Sequence, residues 1–285
     1  MSSMLPASLG RDLAYSTVRI ECAGPRGSNV GTGFGYVHHT DAGVIRFLVT
    51  NRHVVEGVAS GRFFFTRAVG PSPIEGPRPG QRIDMHINAF RNGWTFHPDP
   101  AVDLAVFPFD QIHRQMVKDG NLAYFLPIGS SALLSTSEEQ ALDIVEEVVF
   151  VGYPTGLFDR QHLFPLFRHG ITATPPALDY DGTRVVLIDA SVHPGSSGSP
   201  VFLANTASLA RASGRVRLLG VVGSVFLHRA NGRMDCVAPL TPTANVRDHV
   251  IDIGIVYKAS LIEETVAAAI GARKLRPVAP DAWVR

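Results

Sequence analysis

Three segments of this chain carry side chains that together could transfer an acyl group. The first, Leu48-Val49-Thr50-Asn51-Arg52-His53-Val54-Val55, runs an apolar stretch into a histidine. The second, Asp99-Pro100-Ala101-Val102-Asp103-Leu104-Ala105-Val106, opens an apolar stretch with an aspartate. The third, Pro194-Gly195-Ser196-Ser197-Gly198-Ser199-Pro200, sets a serine among glycines just ahead of Val201–Leu203. A serine hydroxyl stays protonated at neutral pH, so it attacks a carbonyl well only when a base takes its proton; an imidazole suits that task. The imidazole in turn needs a carboxylate to hold its tautomer and to stabilise the imidazolium that forms. The reaction also needs N–H donors aimed at the developing oxyanion, each worth about 3 kcal/mol. Glycine at position 195 permits a turn that points its own amide and that of Ser197 into one cavity, which places the expected oxyanion hole within Gly195, Ser196 and Ser197. His53 is thus the expected base, Asp103 its orienting partner and Ser197 the nucleophile.

The order along the chain discriminates further. A Gly-x-Ser-x-Gly elbow sits at a strand-to-helix turn and runs serine, acid, histidine. Here the order is histidine, aspartate, serine; Ser199 lies where that elbow needs glycine, and Pro200 leads into a strand-like run. Each group alone also has a plainer reading. A histidine after an apolar run is usually structural, an aspartate there can cap a turn, and Gly-Ser-Ser-Gly-Ser is a common loop composition. Their joint occurrence, each with its own flank, points to catalysis.

These groups must be positioned by strands. Glycine (27) and proline (20) punctuate short runs rich in Val, Ile and Phe. The runs are 17–21, 33–37, 45–50, 62–66, 82–88 and 104–107, then 147–151, 165–172, 184–189, 200–203, 216–225 and 235–239. About twelve short strands at this density predict an all-β fold, and two six-stranded antiparallel barrels accommodate them. Residues 13–125 are expected to form the first barrel and 140–256 the second, with a helix and tail over 257–285. Gly70 to Gly80, with four prolines and three glycines, reads as a loop. Gly120 to Glu139 joins the halves, and Ser135-Thr136-Ser137-Glu138-Glu139 within it reads as a capped helix start. Lys258 to Arg276 is predicted helical, with Leu261, Ile262, Val266 and Ile270 near a 3.6-residue period, packing its apolar stripe on the second barrel.

Lys and Arg total 26 against 25 Asp and Glu, a formal net charge of +1, which argues against a nucleic-acid partner. Cys22 and Cys236 are the only cysteines, and they read as two reduced thiols rather than a bridge. No Cys or His spacing suggests a metal, and no cofactor is expected. The first twenty residues lack the basic head and apolar core of a signal peptide, and no apolar run is long enough to span a membrane, so a cytoplasmic protein is expected.

The three motifs resemble those of the trypsin-like serine peptidases, and most closely the protease domain of the HtrA-type branch. Gly31-Thr32-Gly33-Phe34, Val149-Phe150-Val151-Gly152-Tyr153-Pro154, His169-Gly170-Ile171-Thr172-Ala173, Ile188 through Gly195 and Leu219-Gly220-Val221-Val222-Gly223 extend the likeness across about Leu13 to Val256. The resemblance implies a chymotrypsin-like Greek-key double barrel, a protein or peptide substrate, and a serine endopeptidase working through an acyl-enzyme. The alternative it leaves is a latent or non-enzymatic protein-binding module on a protease fold. It further implies a pocket for the residue before the cut, floored by Ser191 and walled by Gly223, Ser224 and Val225. With no acid at Ser191 and Val225 narrowing the mouth, a small or medium apolar residue is expected there. About thirty residues follow the resembling region, so presentation by a PDZ groove is not expected. Ser196 stands where relatives that bury a new amino terminus carry an aspartate, so such maturation is not expected either. A regulatory protein partner or a homo-oligomer fits HtrA-type relatives, and switching is expected in the loops 156–163 and 174–183.

Overall fold

A computed structural model describes residues 8–25, 27–70, 75–87, 90–204, 217–228, 234–237 and 249–279. Helix α1 (Leu9–Ala14) leads into β1 (Thr17–Gly24), β2 (Gly27–Thr40) and β3 (Gly43–Thr50). The short α2 (Arg52–Val55), β4 (Ser60–Ala68), β5 (Pro77–Ile87), α3 (Phe90–Gly93), β6 (Thr95–Phe96) and β7 (Ala105–Pro108) follow. Next come α4 (Asp110–Lys118), β8 (Ala123–Tyr124), β9 (Ile128–Gly129) and α5 (Thr136–Gln140). The second half holds β10 (Glu147–Gly152), β11 (Leu166–Thr172), β12 (Val185–Asp189) and β13 (Pro200–Leu203). It ends with β14 (Arg217–His228), β15 (Met234–Val237), β16 (His249–Lys258) and α6 (Ser260–Arg273).

The second sheet is a closed barrel. Its order β13-β10-β11-β12-β16-β14 returns to β13, six antiparallel strands with β15 appended to β14. The first sheet has nine strands rather than the six expected. Six long strands run β5-β4-β1-β2-β3-β7, and the two-residue β6, β8 and β9 pair onto β7, β4 and β2, the last in parallel. Ile83 of β5 and Phe107 of β7, from opposite ends of that order, share one core with Ile20, Leu48 and Phe63, so the sheet must curl around it. The stretch Pro77 to Gly80, expected as loop, belongs to β5; it is the outermost strand, where a missing amide costs no ladder bond.

The β3 strand explains where the site forms. Its residues 44–50 are all buried, because it lies between two cores. Leu48 faces the core of the first barrel. Ile45, Phe47 and Val49 face a second core shared with Val149, Val151 and Phe202 of the other barrel. Leu261, Ile262, Val266 and Ala269 of α6 fill the same shared core. Each large side chain buried there contributes roughly 1.5–3 kcal/mol, so α6 joins both barrels instead of covering the second alone. Glu264 makes the same bridge in polar form, with Arg184 of the second barrel and, at 3.4 Å, with His97 of the first. The capped helix read at Ser135 is α5, whose capping box pairs Ser135 with Glu138. Helices α1 and α4 were not expected. Cys22 is buried and free, and burial pushes its thiol up to about 12, which makes it inert. The side chain of Cys236 lies outside the described residues.

Candidate active site

Strand register brings His53 and Asp103 together. β3 pairs antiparallel with β7, Thr50 opposite Ala105. The residues that follow β3 therefore meet those that precede β7 at one edge of the sheet. Asn51 ends the strand, and α2 turns His53 back toward Asp103. The His53 amide donates to Asp103 Oδ1 at 2.9 Å, and His53 Nδ1 lies 2.5 Å from Asp103 Oδ2. Both side chains are mostly buried, at 13% and 17% exposure, so water competes weakly for this pair. With Nδ1–H donating to the carboxylate, Nε2 is left as the acceptor. The Asp103 loop is itself pinned: its carbonyl accepts from the Asn51 side-chain amide at 2.8 Å and from the Arg52 amide at 3.4 Å.

The serine arrives on a loop between β12 and β13. Two glycines shape it. Gly195 has φ +86°, and a Cβ there would stand 2.5 Å from the Tyr153 carbonyl. Gly198 has φ +87°, and a Cβ there would stand 1.9 Å from the Thr32 carbonyl, so only glycine lets the loop lie against the first barrel. The Thr32 amide then donates to the Ser197 carbonyl at 2.9 Å, and Gly198 donates to Val222 at 2.9 Å. The cleft of about 170 Å3 beside them is lined by His53, Ser197, Gly195, Pro194, Asn29 and Gly156, among others. The structure thus brings His53, Asp103 and Ser197 to one place. The Ser197 hydroxyl donates to the Gly223 carbonyl at 3.2 Å rather than to His53.

The expected oxyanion hole is narrowed. The Ser196 amide donates to the His193 carbonyl at 3.0 Å and is not available to a substrate. The Gly195 and Ser197 amides have no acceptor among the described residues, and both residues line the cleft. The Ser196 hydroxyl is buried without a hydrogen-bond partner among the described residues.

The pocket expected before the cut is corrected in two respects. Val225 is 1% exposed and packs in the core of the second barrel with Ile188 and Val192, so it does not narrow a mouth. The register of β14 on β16 shifts between Val222 and Ser224, which rotates Val225 inward. Ser191, expected without an acid, donates its hydroxyl to Asp252 Oδ1 at 2.9 Å. Asp252 reaches it from β16 with a left-handed φ of 56°. Both premises for a small apolar preference are therefore removed. Ser224 is buried within β14, and the Gly223 carbonyl accepts from the Ser197 hydroxyl.

Thr32 was quoted in the sequence only as part of a glycine-flanked motif, and the structure gives it a larger part. Its hydroxyl accepts from the Tyr153 amide at 3.0 Å and donates to the Gly195 carbonyl at 2.8 Å. One buried side chain of the first barrel thus ties together two loops of the second. The Thr155 amide adds a hydrogen bond to the Pro194 carbonyl, from a left-handed φ of 49°. A hydroxyl between glycines was the only signal, and spacing could not say that it reaches a loop 163 residues away. Among the described residues, no group of three or more His, Cys, Asp or Glu could hold a metal ion, and no helix is long and apolar enough to cross a membrane.

Comparison with known proteins agrees with this fold. Residues 31–209 match the family described as a trypsin-like peptidase domain. None of the curated proteins matches. Among solved structures, the chain is similar to the HtrA-type protease AlgW with a tripeptide, at 15% identity and a TM-score of 0.51, covering 93% of this chain and 64% of that one. It is also similar to the active form of the Rv3671c protease from M. tuberculosis, at 19% identity and a TM-score of 0.47, covering 98% and 95%. The serine endoprotease from Yersinia pestis matches at 16% identity and a TM-score of 0.47, covering 94% and 68%. The chain spans 62% and 64% of the length of the two AlgW chains it matches. At such identities the likeness is one of fold, the chymotrypsin-like double β-barrel.

Proposed function

Because the chain belongs to the trypsin-like peptidase family, whose fold supports serine protease activity, we propose that it is a serine endopeptidase acting through an acyl-enzyme on Ser197. The observation that carries the reading is the His53–Asp103 pair at 2.5 Å, with His53 sharing a cleft with Ser197, whose own amide and that of Gly195 have no acceptor among the described residues. Ser197 Oγ attacks the scissile carbonyl while His53 Nε2 takes its proton, and Asp103 stabilises the imidazolium. The tetrahedral oxyanion lies between the Gly195 and Ser197 amides, each donor being worth about 3 kcal/mol. Collapse breaks the C–N bond, and the leaving amine takes the proton from His53. Water then attacks the ester with His53 again as base, releasing the acid and restoring the serine. The residues proposed to form the protease domain are 13–256.

The hydrogen bond from Ser197 to Gly223 favours a resting state within this reading. A rotation of the serine side chain exchanges that bond for one to His53, and hydrogen bonds of this kind tighten when substrate binds. Turnover of fluorogenic peptides by the purified chain tests the proposal. Cleavage is expected, together with its loss in Ser197→Ala at unchanged thermal stability. Equal cleavage by Ser197→Ala would reject the assignment.

A further inference from the structure

Beside the catalytic cleft lies a larger cavity of about 480 Å3. Val30, Thr155 and Gly156 line both spaces, so the two adjoin. Its walls come from the first barrel through Phe64 and Arg82, and from the loop after β10 through Phe158 and Arg160. The mechanism above uses none of these four. A space of this size falls in the range of ligand sites and far exceeds the room a buried water needs.

The lining is cationic on balance. Arg19, Arg82 and Arg160 face one acid, Glu21. Glu21 is already engaged by Arg19 and by Arg62, each at 2.6 Å. Arg82 pairs outward with Asp84 at 2.5 Å. Arg160 is exposed and forms no ion pair among the described residues. Arg19 Nε is buried with no hydrogen-bond partner, although the terminal nitrogens of the same side chain hold Glu21 and, at 2.8 Å, the Gly156 carbonyl. The guanidiniums of Arg19 and Arg82 stack on Phe64 at 5.8 and 4.8 Å, and Arg19 also lies 4.9 Å from Phe158, which fixes where the charge points.

We propose that this cavity is the subsite for the residues that follow the cleaved bond, and that it selects a carboxylate among them. The inference rests on the proteolytic reading and adds the substrate class. In that reading the acyl half of the substrate runs toward Gly223, and the leaving half passes over Asn29, Val30 and Gly156 into the cavity. An extended chain advances about 3.3 Å per residue, so the second to fourth residues after the cut occupy it. Phe64 and Phe158 receive the apolar stems, and the arginines take the carboxylate through charge-assisted hydrogen bonds, roughly twice as strong as neutral ones. The carboxylate is either an Asp or Glu side chain or the free end of the substrate.

Matched fluorogenic peptides separate these sources. One series carries Glu or Gln at the second, third or fourth position after the cut with an amidated end. The other carries Gln throughout with a free or amidated end. A rise in kcat/KM of about tenfold for the carboxylate is expected in at least one series, shrinking as salt is raised. Arg160→Glu is expected to abolish or reverse that preference while labelling of Ser197 by a fluorophosphonate, which carries no residues beyond the cut, proceeds at the wild-type rate. Equal kcat/KM for acid and amide at every position, with labelling intact, overturns the subsite and leaves the proteolytic reading standing. If the chain neither labels nor cuts, the proteolytic reading fails, and calorimetric titration of the product-side tetrapeptides still decides the cavity. A Kd about tenfold lower for the acidic peptide supports it, and equal Kd values overturn it.

Discussion

His53 and Asp103 are locked together by residues of one sheet, whereas Ser197 has its hydroxyl on Gly223 and its loop held from the opposite barrel. The pair draws on the β3–β7 register, the His53 amide and the Asn51 side chain, all within the first barrel. The Ser197 loop draws on the Thr32 amide and hydroxyl, which cross between barrels. A pair made within one sheet is as stable as that sheet. A loop made between two sheets follows every change in how they sit, and so is the natural place for control of activity.

Substitution at the His53–Asp103 pair has the largest expected effect. Asp103→Asn keeps the shape of the side chain but reverses one hydrogen-bonding partner of His53, and a fall in kcat of about 10⁴ is expected. A loss under tenfold would mean that the preformed pair contributes little. At the loop, Thr32→Val removes the hydroxyl while preserving its bulk, leaving the Gly195 carbonyl and the Tyr153 amide unpaired. A fall in kcat of roughly 10- to 100-fold with little change in KM is expected, less than the roughly 10²- to 10³-fold lost when an oxyanion donor is removed outright. Thr32→Ser should restore the rate, which a purely packing role would not. A Thr32→Val enzyme as fast as wild type would show the loop to be held by other means.

The smallest effect belongs to the brace between the barrels. The hydrogen bond from Arg184 holds the Glu264 carboxyl below the usual range. Its stabilisation is therefore present above the ordinary carboxylate range and lost as pH falls through the lowered value. The side chain is 45% exposed, so Glu264→Gln should cost only a few tenths of a kcal/mol near neutrality and flatten the decline of Tm in acid. A variant whose Tm falls as steeply in acid as the wild type would assign the acid sensitivity elsewhere.

What could be read from the sequence was local. The flanks of His53, Asp103 and Ser197 singled them out as candidates because each sits at the end of a buried strand, and burial writes itself as an apolar run. Helix α6 was legible from its period, and α5 from its cap. Strand β16 was not, since Asp252 and Gly254 interrupt it and Asp252 adopts a left-handed conformation. Its absence from the expected strands also hid the acid that meets Ser191. The inward turn of Val225 depends on a register shift that no side-chain pattern records. Thr32 and Asn51 were present in quoted motifs, but their partners lie on other elements, and only the folded chain pairs them.

A crystal structure of the chain after reaction with a fluorophosphonate decides whether Ser197 is the nucleophile. The expected result is a phosphorus bonded to Ser197 Oγ, a phosphonyl oxygen between the Gly195 and Ser197 amides, and the serine oxygen withdrawn from the Gly223 carbonyl. An unmodified Ser197 in folded protein, or an adduct on another residue, would contradict the account.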